Sequence, residues 1–257
     1  MKRRLIATLS AALLLVSAIG ISAPSVSAAS VGACSSGASN NYRSGETTGQ
    51  LALRGVYGEL YLSSVAGPCT PDDNSGLNVS AIQIALGENI AGAFVSMGII
   101  KCNTGSGSWP STLCDGKQHV YAEQHGSVLW DYNMWDIGVI TAGATKNLQI
   151  SYGCTGYATS YCWFLNGNRV LSFNMGTGLS PAMTTVNATW QGETGDPGDG
   201  LGNNVAGQST GAGRIQYMKN SDKLWYLRSV SGACDFISAQ HKCVANGSYG
   251  FYTYTVN

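Results

Sequence analysis

From about residue 50 onward the chain alternates apolar and polar residues one by one, and no stretch keeps a 3.6-residue period over the length of a helix. That pattern confines the fold to sheets. Segments 55–64, 79–86, 90–101, 117–126, 147–153, 161–173, 184–193, 212–219 and 249–256 all carry the two-residue period, and turn residues separate them. Asn166-Gly167, between "CWFL" and "NRVLSF", is the sharpest hairpin signal, since a two-residue type I′ turn needs positive φ at both positions. The 34 glycines suit many turns, whereas each would cost a helix about 1 kcal/mol. The expectation is an all-β, two-sheet antiparallel β-sandwich in which residues 50–257 form a single domain.

The first residues follow a different rule. Lys2, Arg3 and Arg4 precede an apolar stretch, residues 5–21, and Val26-Ser27-Ala28 has the form of a cleavage site, so residues 1–28 read as a secretory signal peptide. Residues 29–49, rich in Ser, Gly and Asn, are expected to be a loosely ordered arm tied down by Cys34. Formal charge is zero over the whole chain, with 14 Lys+Arg against 14 Asp+Glu. Cleavage would remove three of the basic residues and no acidic one, leaving the mature protein at −3. Such a balance offers no basic surface for nucleic acid and none for anionic membrane. A secreted, extracellular and monomeric protein is expected.

Export accounts for the cysteines. Eight of them, with no CxxC pair, point to disulfides rather than to zinc or thioredoxin-type chemistry. The sequence-adjacent set 34–69, 102–114, 154–162 and 234–243 is the expected pairing, because close pairs flanking turn-rich segments can staple hairpins. No GxSxG, HExxH, P-loop or EF-hand motif occurs, so neither a cofactor nor a metal site is expected. His119, His125 and His241 lie in no motif and read as surface or internally satisfied residues. "DPGDGLGN" (196–203) reads as a Gly-Pro turn, although Asp196, Asp199 and Asn203 are oxygen donors.

Glutamate is scarce: Glu46, Glu59, Glu88, Glu123 and Glu193 are the whole set, which makes each one informative. In "NATWQGE" the strand period places Thr189, Gln191 and Glu193 on one face and Trp190 and Gly192 on the other. In "LWDYNMWDIG" (129–138) it separates Trp130, Tyr132 and Met134 from Asp131, Asn133 and Trp135. Each face is core, ordinary surface or a stacking platform, and Trp135 is kept as a candidate substrate contact.

The stretch "GVYGELYLSS…NVSAIQIALGENIAGAFVSMGI", followed by "VYAEQHG", "CWFLNGNRVLSF" and "NATWQGE", resembles the neprosin-like glutamic peptidases in the order and spacing of its segments. It is also similar to the fungal glutamic endopeptidases, in which a segment of the form A-E-W-I-V-E matches "ATWQGE" (188–193) and ends on the catalytic Glu. The resemblance implies a concanavalin-A-like jelly roll whose groove binds an extended polypeptide. In that chemistry one Glu draws a proton from water while a second Glu or a Gln stabilises the oxyanion. It assigns catalysis to Glu193, with Glu123 or Gln83 assisting; Gln191 and Trp135, from their strand faces, and Glu88, three residues before Ala91, are the candidate substrate contacts. Two positions depart from the neprosin-like pattern: Ala91 stands in place of the second Glu, and Ala85 in place of a tryptophan. The functional expectation is a secreted, glutamic-type endopeptidase active in mild acid. The competing expectations are a non-catalytic module that binds glycan or peptide on the same sheet, and an extracellular structural protein without a specific ligand.

Overall fold

In a computed structural model the described residues are 42–49, 51–69, 79–87, 93–103, 110–126, 132–175, 186–196, 199–202 and 209–256. They contain strands and no helix. The strands are β1 (Tyr42–Thr47), β2 (Leu53–Tyr61), β3 (Val79–Gly87), β4 (Phe94–Cys102), β5 (Gln118–His125), β6 (Tyr132–Ile140), β7 (Lys146–Cys154) and β8 (Tyr157–Leu165). They continue with β9 (Asn168–Phe173), β10 (Asn187–Thr194), β11 (Thr210–Ala212), β12 (Gln216–Lys219), β13 (Trp225–Leu227), β14 (Phe236–Ile237), β15 (His241–Ala245) and β16 (Phe251–Thr255).

Two antiparallel sheets stack as a jelly-roll sandwich. The first runs β14-β1-β10-β3-β4-β5-β6; the second runs β15-β16-β11-β2-β7-β8-β9, with β12 and β13 added beside β2. Alternation sends Leu53, Val56, Leu60, Ile82, Ile84, Leu86, Val95, Met97, Ile99, Leu148, Ile150, Trp163 and Trp190 into the space between the sheets. Two buried indoles lock the layers together. Trp190 on the first sheet donates to the Tyr57 carbonyl on the second (2.7 Å), and Trp163 on the second donates to the Ser96 carbonyl on the first (2.8 Å). Each ring therefore fills the core and satisfies its one polar atom across the interface. The hairpin joining β8 to β9 turns at Asn166 (φ 50°) and Gly167 (φ 80°), as the type I′ signal requires.

Cys102–Cys114, Cys154–Cys162 and Cys234–Cys243 are disulfides, matching three of the expected adjacent pairs. Cys69 is also disulfide-bonded; the expected partner, Cys34, lies outside the described residues. Disulfides of this kind generally form and persist in oxidising compartments. Residues 1–28, expected from the sequence to be a signal peptide, lie outside the described residues too.

One expectation needs correction. The stretch read as a loose arm ends in β1, a full strand that pairs with β10 in the register Tyr42↔Thr194 to Thr47↔Thr189. Its period was hidden because its buried positions are polar. Ser44 is held by the buried His241, whose other ring nitrogen meets Thr194, at 3.1 Å in both cases. Glu46 is buried against Arg228, 3.3 Å away. Burial and the nearby Asp235 push the Glu46 carboxyl up to about 7.

A buried carboxylate ties together the described segments around it. Asp199, fully buried, accepts from the backbone N–H groups of Cys69 (2.7 Å), Val79 (2.9 Å), Gly195 (3.1 Å) and Asp196 (2.9 Å). It thereby fixes the start of β3 against the end of β10.

Candidate functional site

The site lies on the face of the first sheet turned away from the core. Register defines its rows. Gly45, Gln191, Gln83, Gly98 and Tyr121 stand side by side across β1, β10, β3, β4 and β5. On one flank of that row sit Arg43, Glu193, Ala81, Ile100 and His119. On the other sit Thr47, Thr189, Ala85, Ser96, Glu123 and Met134. Gln83 and Gln191 are nearly buried in the middle of this face, whereas Arg43 is 47% exposed and Tyr132 39% exposed at its margins. The centre is therefore recessed and the edges open.

Glu193 and Gln83 meet there. Gln83 Nε2 donates to Glu193 Oε2 at 2.8 Å, and Gln191 Nε2 donates to the same oxygen at 3.2 Å. Arg43 clasps the carboxylate from the next strand, with Nε 3.2 Å from Oε2 and a terminal guanidinium nitrogen 3.3 Å from Oε1. Behind Gln83 the Tyr121 hydroxyl donates to Oε1 at 2.6 Å. That bond fixes the sense of the amide: a flipped Gln83 would turn its oxygen toward the Glu193 carboxylate. An amide nitrogen carries two N–H groups, so with one on Glu193 the second remains for another acceptor.

The Tyr121 bridge crosses β4, and glycine makes it possible. A Cβ at Gly98 would stand 2.8 Å from Tyr121 Cε1, 2.8 Å from Gln83 Cβ and 2.5 Å from the Ile82 carbonyl oxygen. The phenol is buried, and burial raises its pKa well above the usual tyrosine range, so it stays a donor.

Glu123 belongs to the same face but not to this contact. Ser96 Oγ donates to its Oε2 at 2.6 Å, and the Tyr132 hydroxyl is its second partner. Burial, reinforced by the charge of Glu193, pushes the Glu123 carboxyl up to about 7 against the downward pull of the Ser96 bond. Burial and Glu123 in turn push the Tyr132 phenol up.

Of the residues singled out from sequence, Glu193, Gln83 and Gln191 form one hydrogen-bonded cluster, and Glu123 lies on the same face two strands beyond Gln83. Glu88 and Ala91 lie outside the described residues. Trp135 is corrected: it faces the core, against Trp163 (centroids 5.9 Å apart) and Phe173 (5.4 Å), so it is no groove contact. The pairing Glu123↔Met134 puts Met134 and Tyr132 on the groove face instead. Arg43, Tyr121, Ser96 and Tyr132 are the groups that sequence reasoning left out. Tyr121 was within reach, because it shares the parity of Glu123 on one strand; Arg43 lay in the supposed arm.

Two of the histidines, His119 and His241, are internal, whereas His125 is half-buried on the groove face beside Phe94 and Tyr132. His119 is held between Asp115 (2.9 Å) and Asp136 (3.1 Å), and this ties the segment before β5 to β6. His241 sits between Ser44 and Thr194, where burial lowers its pKa to about 4.

No protein-family model matches the chain, and no curated protein matches it. Among solved structures, a scytalidoglutamic peptidase with a peptide-based transition-state analogue aligns over 84% of this chain and 99% of its own, at 11% identity and a TM-score of 0.48. A glycoside hydrolase family 16 endo-glucanase from Bacteroides ovatus aligns over 61% and 67%, at 8% identity and a TM-score of 0.39. Crh5 transglycosylase aligns over 60% and 57%, at 12% identity and a TM-score of 0.35. Individual residue roles take nothing from these alignments and rest on the geometry above.

Proposed function

We propose that this chain is a secreted glutamic-type endopeptidase that hydrolyses extended polypeptides in mild acid. The observation that carries the reading is the 2.8 Å contact between Gln83 Nε2 and Glu193 Oε2 on an open, recessed sheet face. Glu193, as carboxylate, takes a proton from water as the water oxygen bonds to the scissile carbonyl carbon. The carbonyl electron pair moves onto its oxygen, and the free N–H of Gln83 stabilises that oxyanion. Collapse of the adduct breaks the C–N bond, and the proton held on Glu193 goes to the leaving nitrogen.

This arrangement follows the Gln-using form of the chemistry. The alanine at position 91, which departs from the neprosin-like pattern, then removes nothing essential, because Gln83 supplies the second group. Gln191 steadies the carboxylate, and Tyr121 holds the amide in its productive sense.

A second reading has its own support. Arg43 engages both oxygens of Glu193, which suits a carboxylate that orders a binding surface better than a free base. A non-catalytic module for peptide or glycan would keep this contact permanently closed. One experiment separates the two: the purified protein is incubated with denatured protein substrate from pH 3 to 8, beside Glu193→Gln and Gln83→Ala. The peptidase reading expects cleavage below neutral pH, none with Glu193→Gln, and a loss of about 10²–10³ in kcat with Gln83→Ala. Absence of cleavage at every pH, or undiminished cleavage by Glu193→Gln, refutes it.

A further inference from the structure

We infer that Glu123, framed by Phe94, His125 and Tyr132, is a subsite for a positively charged side chain, Lys or Arg, on the extended polypeptide; the inference deepens the reading of Glu193 and Gln83 and rests on it for the nature of the ligand. The subsite begins with an unmatched charge. Both hydrogen-bond partners of Glu123 are neutral hydroxyls, Ser96 at 2.6 Å and Tyr132, and among the described residues no cation stands within ion-pair distance of it. The charged side chains that act on it are Glu193, which repels, and Arg43, which is already clasped to Glu193. A carboxylate so placed is costly to ionise, which agrees with a pKa of about 7. A substrate cation would supply the missing counter-charge, whereas a neutral side chain would leave the carboxyl as it is.

The surroundings favour a cation over other donors. Phe94 and His125 stack at 5.3 Å with their planes 4° apart, and Tyr132 meets His125 edge-on at 6.1 Å. The register Phe94↔His125↔Tyr132 forms the row next to Ser96↔Glu123↔Met134, so this aromatic wall runs along one side of the carboxyl. Ring faces beside a carboxylate accept an ammonium or a guanidinium together with the apolar stem that carries it.

The position also has a length. Glu193 and Glu123 are separated by two strands, β3 and β4, and lie on opposite flanks of the Gln83 row. Three strand spacings and four residues of rise correspond to roughly 19 Å between Cα atoms on a flat sheet. Allowing for the reach of a Glu and a Lys side chain, the basic residue falls about two to four positions from the scissile bond on an extended chain.

The test is binding to the full chain carrying Glu193→Gln, which keeps peptides intact. A positional set of octapeptides, each with one Lys or one norleucine at the same place, is titrated by calorimetry at pH 7.5. At the positions that reach Glu123, Lys is expected to bind about tenfold more tightly than norleucine, which is one pair of modest strength. Adding Glu123→Gln should abolish the difference, and Tyr132→Leu should reduce it with Glu123 in place. Equal binding of Lys and norleucine at every position, no binding at all, or a preference that survives Glu123→Gln overturns the inference. Failure of the peptidase reading looks different: Lys preference persists in binding, yet the wild-type protein cuts no substrate.

Discussion

Replacing Glu123 by Gln keeps the shape of the side chain and its acceptor for the Ser96 hydroxyl while removing its ability to ionise. In the folded protein the wild-type carboxyl titrates at about 7 against an ordinary value of 4.5, chiefly because burial disfavours its charge. A carboxyl raised in this way contributes stability that is fully present below about 4.5 and lost as pH climbs through 7. At about 1.4 kcal/mol per pH unit the whole loss is about 3 kcal/mol, and water reaching the carboxyl from the open face brings it to about 2 kcal/mol. His241 works in the opposite sense. Its pKa is lowered to about 4, so its contribution is present above 6.5 and disappears as pH falls toward 4. Glu46 and Asp199, whose carboxyls burial also pushes up to about 7, lose their contributions over the same range as Glu123, so the wild-type curve mixes several groups and does not isolate Glu123. The informative quantity is therefore the difference between Glu123→Gln and wild type in urea denaturation, measured at half-unit steps from pH 4 to 8. It should be close to zero at pH 4 and rise to about 2 kcal/mol in favour of the variant by pH 8. For a domain of this size that equals about 4–8 °C in Tm. A difference that stays constant with pH, or one that grows in favour of wild type at alkaline pH, would refute the assignment of an unmatched buried carboxyl to Glu123.

Gly98→Ala should destabilise the fold by about 1–3 kcal/mol, because the new methyl meets backbone at 2.5 Å. It should also lower kcat more than it raises KM, since it displaces the Tyr121–Gln83 bridge; peptide-hydrolysis kinetics check the split, and an unchanged kcat counts against the bridge. Asp199→Asn replaces an acceptor of four backbone N–H groups with a side chain that must turn N–H toward N–H, and about 3 kcal/mol should be lost in urea midpoint experiments. Trp190→Phe should cost about 2–3 kcal/mol, combining lost ring volume with an unsatisfied Tyr57 carbonyl; thermal unfolding followed by tryptophan emission reads it out.

Sequence carried the strands whose buried residues are apolar, and it carried the parity of β10, where Trp190 enters the core and Glu193 does not. It misjudged parity at β6. "LWDYNMWDIG" has a large apolar residue at both phases, so alternation cannot say which face is inside, and only pairing with β5 decides that Trp135 is core and Tyr132 groove. The same limit explains β1. A strand can bury Ser44, Gly45 and Glu46 only when partners distant in sequence satisfy them, here His241 and Arg228, and a local pattern contains neither. Arg43 thus arrives at Glu193 by the same long-range pairing that hides its strand. The groups that hold the site are bound to be less legible than those that fill the core: apolar burial needs only a period, whereas polar burial needs a named partner, and partners are set by topology.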